Sequence, residues 1–90
     1  MAWKIKISTT ATKQLKKLDK NAKQRIITFL RDKIECTNNP RIYGKALKGE
    51  KADLWRYRVG DYRLICHICD NSITVLVLAV GHQKEIYRRH

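Results

Sequence analysis

The chain has 90 residues and a formal net charge of +12, from 20 Lys and Arg against 8 Asp and Glu. That length holds a single domain, residues 1–90, and an apolar fraction of 43% makes a compact globule and not a disordered chain. No apolar run approaches the ~20 residues of a membrane span. Lys4 and Lys6 interrupt the N-terminus where a signal peptide would be apolar, so a soluble cytoplasmic protein is expected.

Trp3, Ile5 and Ile7 alternate with Lys4, Lys6 and Ser8, the period of a half-buried strand with one basic face. Thr9 and Thr10 offer N-caps for a helix carrying Ala11, Leu15 and Leu18. Asp19 or Asn21 caps a second helix, in which Ala22, Ile26, Phe29, Leu30 and Ile34 form an apolar stripe. So short a link makes the two helices an antiparallel pair. Pro40 ends the second helix, and Arg41 to Asp53 reads as a loop with Leu47 at the core edge. Lys45 and Lys48 in that loop serve either solvation or phosphate contacts.

Three strands follow. In Leu54 to Val59, Trp55, Tyr57 and Val59 share one face, with Arg56 and Arg58 on the other. Gly60-Asp61 fits a two-residue hairpin turn. The return strand, Tyr62 to Cys69, sets Leu64, Cys66 and Ile68 against Arg63, Ile65 and His67. Ile73 to Val80 is apolar on both faces, as an interior strand is, and a polar tail follows. The order βααβββ predicts an α+β fold: a small, mostly antiparallel four-stranded sheet with both helices on one face. The other face would then carry Lys4, Lys6, Arg56, Arg58, Arg63 and His67. Period-two alternation thus gathers part of the diffuse charge into one surface that suits a polyanion.

Cys36, Cys66 and Cys69 are an odd number of cysteines without a secretory signal, which argues against a disulfide framework. Cys66 and Cys69 stand three apart in a strand and so point to opposite faces, where they cannot chelate together. Few carboxylates share the basic face, so a two-metal centre is not expected; no motif calls for a cofactor, and none is expected. Metal-free RNA cleavage remains open. There the 2′-OH attacks the adjacent phosphate, and the protein orients it, stabilises charge and protonates the leaving oxygen. Paired arginines suit the charge, because guanidinium forks match phosphate oxygens.

Leu47-Lys48-Gly49, then Leu54-Trp55-Arg56-Tyr57-Arg58-Val59-Gly60-Asp61-Tyr62-Arg63-Leu64-Ile65, then Val80-Gly81-His82-Gln83-Lys84-Glu85-Ile86-Tyr87 resembles the RelE branch of the RelE/ParE toxin superfamily. The resemblance implies a bacterial type II toxin that cuts mRNA in the ribosomal A site and inhibits translation. It also implies a small RelB-like antitoxin, with operator DNA bound only through the toxin–antitoxin complex, and no membrane partner. Carried over residue by residue, Arg56 and Arg58 match the basic positions of the first active-site strand, and Arg63 matches the arginine that holds the scissile phosphate. Tyr87 matches a tyrosine that stacks on a base or assists proton transfer. Gln83 stands where relatives commonly place another arginine, leaving His82, Lys84 or Arg88 to substitute, or a weaker nuclease. The expected catalytic set is therefore Arg56, Arg58, Arg63, His82 and Tyr87, with His82 or Tyr87 handling the proton. Lys4, Lys6, Lys45 and Lys48 are expected RNA contacts, as are Gln83, Lys84 and Arg88. A ParE-like toxin that inhibits gyrase without nuclease activity is the alternative, and a nucleic-acid-binding module without activity is a third.

Overall fold

A computed structural model describes residues 3–47 and 54–82. Strand β1 (Lys4–Ile7) leads into helices α1 (Thr9–Lys16) and α2 (Lys20–Phe29), and strands β2 (Gly44–Ala46), β3 (Leu54–Val59), β4 (Tyr62–Cys69) and β5 (Thr74–His82) follow. The sheet order is β1-β5-β4-β3-β2, antiparallel except where β1 pairs with β5. The α+β class is as expected, but the sheet has five strands and not four. The extra strand lies within the stretch expected to be a loop. Gly44, Lys45 and Ala46 pair with Tyr57, Arg56 and Trp55, and Gly44 makes this possible. A Cβ there would stand 2.8 Å from the Arg56 carbonyl oxygen and 2.9 Å from the Tyr57 ring.

Both helices are capped by side-chain oxygens that satisfy first-turn N–H groups. For α2 the cap is Asp19, accepting from Ala22 N at 2.8 Å, as the sequence allows. For α1 it is Ser8, one residue before the expected threonines, accepting from Ala11 N at 3.0 Å. Ala22, Ile26, Leu30 and Ile34 are all buried, so the stripe on α2 is real. It continues beyond the α-helix through a π-helical turn, Leu30–Ile34, closed by Glu35 N donating to Leu30 O at 3.0 Å. The wider turn keeps a strict four-residue spacing facing the core, where a 3.6-residue helix would rotate it away.

The core lies between these helices and one sheet face, with Ala11, Leu15 and Ile26 packed over Tyr57, Leu64, Cys66, Ile68, Val75 and Val77. Burial pushes the Cys66 thiol up to about 12. Tyr57 is fully buried and donates to Pro40 O at 2.8 Å; burial first, then the neighbouring thiol, raises its phenol well above the ordinary value. All three thiols are free, and Cys66 and Cys69 occupy opposite faces as expected. No helix among the described residues is long and apolar enough to cross a membrane.

Three irregularities shape β5. Ile73 is not part of the strand but precedes it at φ 51, an unfavourable region for a β-branched residue. The strand then runs through His82, past the expected end at Val80. Within it the register slips. Cys66 pairs with Val77 and Ile65 with Ala79, so Leu78 is an extra, bulged residue. Helix α1 and its cap serve the polar groups of β5 there: Ser8 Oγ donates to Leu78 O at 3.0 Å, and Val80 N donates to Gln14 Oε1 at 2.6 Å.

Candidate active site

Residues directly opposite in a sheet project from the same face, so the ladder maps the side that carries no helix. One row is Lys45, Arg56, Ile65 and Ala79, and the next is Arg58, Arg63 and Gly81. The two-residue turn at Gly60, whose φ is +59, brings Arg58 and Arg63 face to face. Type II′ hairpins need a residue of that conformation first, and glycine takes it without strain. Like charges placed directly opposite destabilise a sheet, and an anion seated between them relieves the repulsion. Gly81, next in the row, offers no side chain to fill the space beside Arg63.

Arg58 is exposed, Arg56 half-buried and Arg63 buried at 6% exposure. The three arginines and Lys45 form one wall of a cleft of about 430 Å³, and the stretch from Ile42 to Gly44 forms the other. That second wall rests on a 3₁₀ turn, Pro40–Tyr43, capped by Asn39, whose Oδ1 accepts from Arg41 N at 3.1 Å. Arg41 anchors the turn by forking onto Asp70 at 3.0 and 2.8 Å and lying over the Trp55 ring at 5.7 Å. The hydrogen-bonded guanidinium of Arg41 holds the Asp70 carboxyl below its ordinary value of 3.8. Sequence reasoning missed this wall, although Asn-Pro followed by Gly44 is a capped turn and a close approach. A larger hollow of about 740 Å³, beside α2 and the Gly60 turn, gathers Arg25, Lys33 and Asp32 but none of the strand arginines.

The remaining expected residues separate. Lys4 and Lys6 are exposed on the same face but stand on β1, and β5 and β4 lie between them and β3. At ~4.8 Å per strand, β1 is about 10 Å from β4, which carries Arg63, and about 14 Å from β3, which carries Arg56 and Arg58. His67, in the row of Lys6, has Cys69 Sγ 3.6 Å from its Nδ1. His82 pairs with Tyr62, and the two rings meet edge-on at 5.6 Å. It therefore lies on the helix side of the sheet, across from Arg63, and not beside the arginines as expected. The bulge at Leu78 is the reason, since one extra residue reverses which face each later side chain takes. Lys48, Gln83, Lys84, Tyr87 and Arg88 lie outside the described residues.

Residues 5–87 match the model of a family described as ParE toxin of type II toxin–antitoxin system, parDE. The chain belongs to the RelE/ParE family of type II toxins. Its relatives place it on the RelE-like side. It is 34% identical to Toxin RelG of Mycobacterium tuberculosis over 89 residues, covering 99% of this chain and all of that one. The fold matches the toxin–antitoxin complex RelBE2 from Mycobacterium tuberculosis with a TM-score of 0.80 at 31% identity, over 91% of this chain and 92% of that one. It also matches the archaeal RelE–RelB complex from Pyrococcus horikoshii with a TM-score of 0.74 at 30% identity, over 92% and 97% of the two chains.

Proposed function

We propose that this RelE-like toxin is an endoribonuclease that cuts mRNA in the ribosomal A site without a metal ion. The observation that carries this reading is the direct opposition of Arg58 and Arg63 beside Arg56 and Lys45 in one cleft. In the reaction the 2′-oxygen bonds to the adjacent phosphorus and the bond from phosphorus to the 5′-oxygen breaks. The products are a 2′,3′-cyclic phosphate and a free 5′-hydroxyl. Negative charge on the phosphoryl oxygens peaks in between, where preorganised cations act most strongly. Arg58 and Arg63 hold the scissile phosphate, and Arg56 and Lys45 hold its neighbour.

Guanidinium groups rarely give up a proton, so a different group must handle the proton. With His82 on the far side of the sheet, the Tyr87 phenol is the candidate the sequence leaves. A net charge of +12 draws the protein to ribosomal RNA, and a RelB-like antitoxin restrains it and represses the operon with it. The relatives solved as toxin–antitoxin complexes support that partnership.

Induced expression in bacteria followed by primer extension on an abundant message tests the activity. Codon-phased cuts from the wild type, and none from a folded Arg63→Ala variant, are expected. The matching family model is named for ParE toxins, which favours gyrase inhibition as the second reading. Intact messages together with DNA damage or filamentation would decide for it.

A further inference from the structure

Three large apolar side chains among the described residues are well exposed: Ile42 at 66%, Tyr43 at 40% and Ile73 at 37%. Two of them are consecutive and border the arginine cleft. Their backbone is fixed from several directions. Asn39 caps the turn, Pro40 O accepts from the buried Tyr57 hydroxyl, Arg41 is forked onto Asp70, and the Tyr43 ring meets Phe29 edge-on at 6.5 Å. Ile42 is held out at the rim, and Tyr43, although its ring leans on Phe29 of α2, stays exposed there. Sites for single-stranded nucleic acid combine cations along the phosphates with flat apolar surfaces for the bases. The cleft has the first along β3 and β4 and the second along the turn before β2.

We infer that Ile42 and Tyr43 form a nucleobase platform, taking an unstacked base next to the phosphate held by Arg58 and Arg63. The inference rests on the RNA-cleaving reading and adds a base-contacting role to a segment outside the arginine set. Stacking on an aromatic ring is tolerant of sequence, so the platform seats the RNA and leaves base identity to other contacts.

The test measures cleavage by the full chain on ribosomes programmed with a defined message, either intact or abasic at single nucleotides around the cut. Tyr43→Ala should lower kcat/KM by about ten-fold or more on intact message, in line with the loss of one stacked base. Tyr43→Phe should retain wild-type rates. Ile42→Ser should fall between the two. At one abasic position the wild type should drop to the Tyr43→Ala rate while Tyr43→Ala loses nothing further. Equal losses by Tyr43→Ala on intact and abasic messages would mean that the ring only shapes the cleft, and would overturn the platform. So would wild-type rates in a folded Tyr43→Ala protein. A wild type that leaves the message uncut would overturn the nuclease reading itself, and this inference with it.

Discussion

Two groups of cations share the open face of one sheet, and they are built differently. Lys4 and Lys6 project from the edge strand β1, exposed and at least two strand spacings, about 10 Å, from the arginine strands. Lys45, Arg56, Arg58 and Arg63 occupy adjacent positions on three neighbouring strands, one of them buried, against the wall of a braced turn. A lysine ammonium is a hydrated point charge on a flexible stem, whereas arginine presents a planar fork. Under the proposed function the first group is suited to attracting a polyanion and the second to fixing a phosphate. Equal charge in the sequence is therefore presented in unequal ways, and strand order decides which residue is placed where.

The two groups should part most sharply at Arg58. Arg58→Ala should reduce ribosome-dependent cleavage by about 100-fold or more, the usual loss when one preorganised charge-stabilising group goes. The same change relieves a like-charge pair, so stability should hold or rise by roughly 0.2–1 kcal/mol. A variant that cleaves normally, or one that loses activity because it melts, would contradict the division. A smaller effect is expected from Gly44→Val, which forces a side chain against the Arg56 carbonyl and the Tyr57 ring. Thermal unfolding should register a loss of about 1–3 kcal/mol, and cleavage should drop with the displaced wall.

Asp70→Asn releases Arg41 and loosens that wall more gently. Because the paired Asp70 titrates below 3.8, its contribution is complete above about pH 4 and is lost as pH falls through the lowered value. Unfolding midpoints of wild type and variant should thus differ at neutral pH and draw together as pH falls below 3.8; a gap that does not narrow in acid would assign the effect elsewhere. The smallest change should come from Lys4→Ala with Lys6→Ala. Binding should weaken several-fold at low salt, and its salt dependence should become shallower by about 0.7 for each phosphate no longer neutralised. A collapse of cleavage at saturating ribosome would put these lysines in the chemistry.

Alternation made the arginine face legible, since Arg56, Arg58 and Arg63 take the side opposite Tyr57 and Leu64 whatever the sheet's width. Asp19 as a cap and the stripe from Ala22 to Ile34 were legible in the same way. Strand β2 was not, because three residues are too few to show a period and its pairing depends on a close approach at Gly44. Nor was the side taken by His82. Val75 to Val80 is apolar on both faces, so nothing in its pattern marks Leu78 as surplus, and parity after that point could not be read. The separation of Lys4 and Lys6 from the arginines came from strand order, a non-local property.

The π-helical turn at Leu30–Ile34 sets the rotational phase at which the chain leaves α2. It carries one residue more than an α-helical ladder would, and each helical residue advances the chain by about 100°. Deleting one residue there would restore a regular helix while turning Ile34, Pro40 and the cleft wall around its axis. The bearing of the Ile42–Tyr43 rim toward the arginines is thus set upstream, by a single surplus residue in the helix.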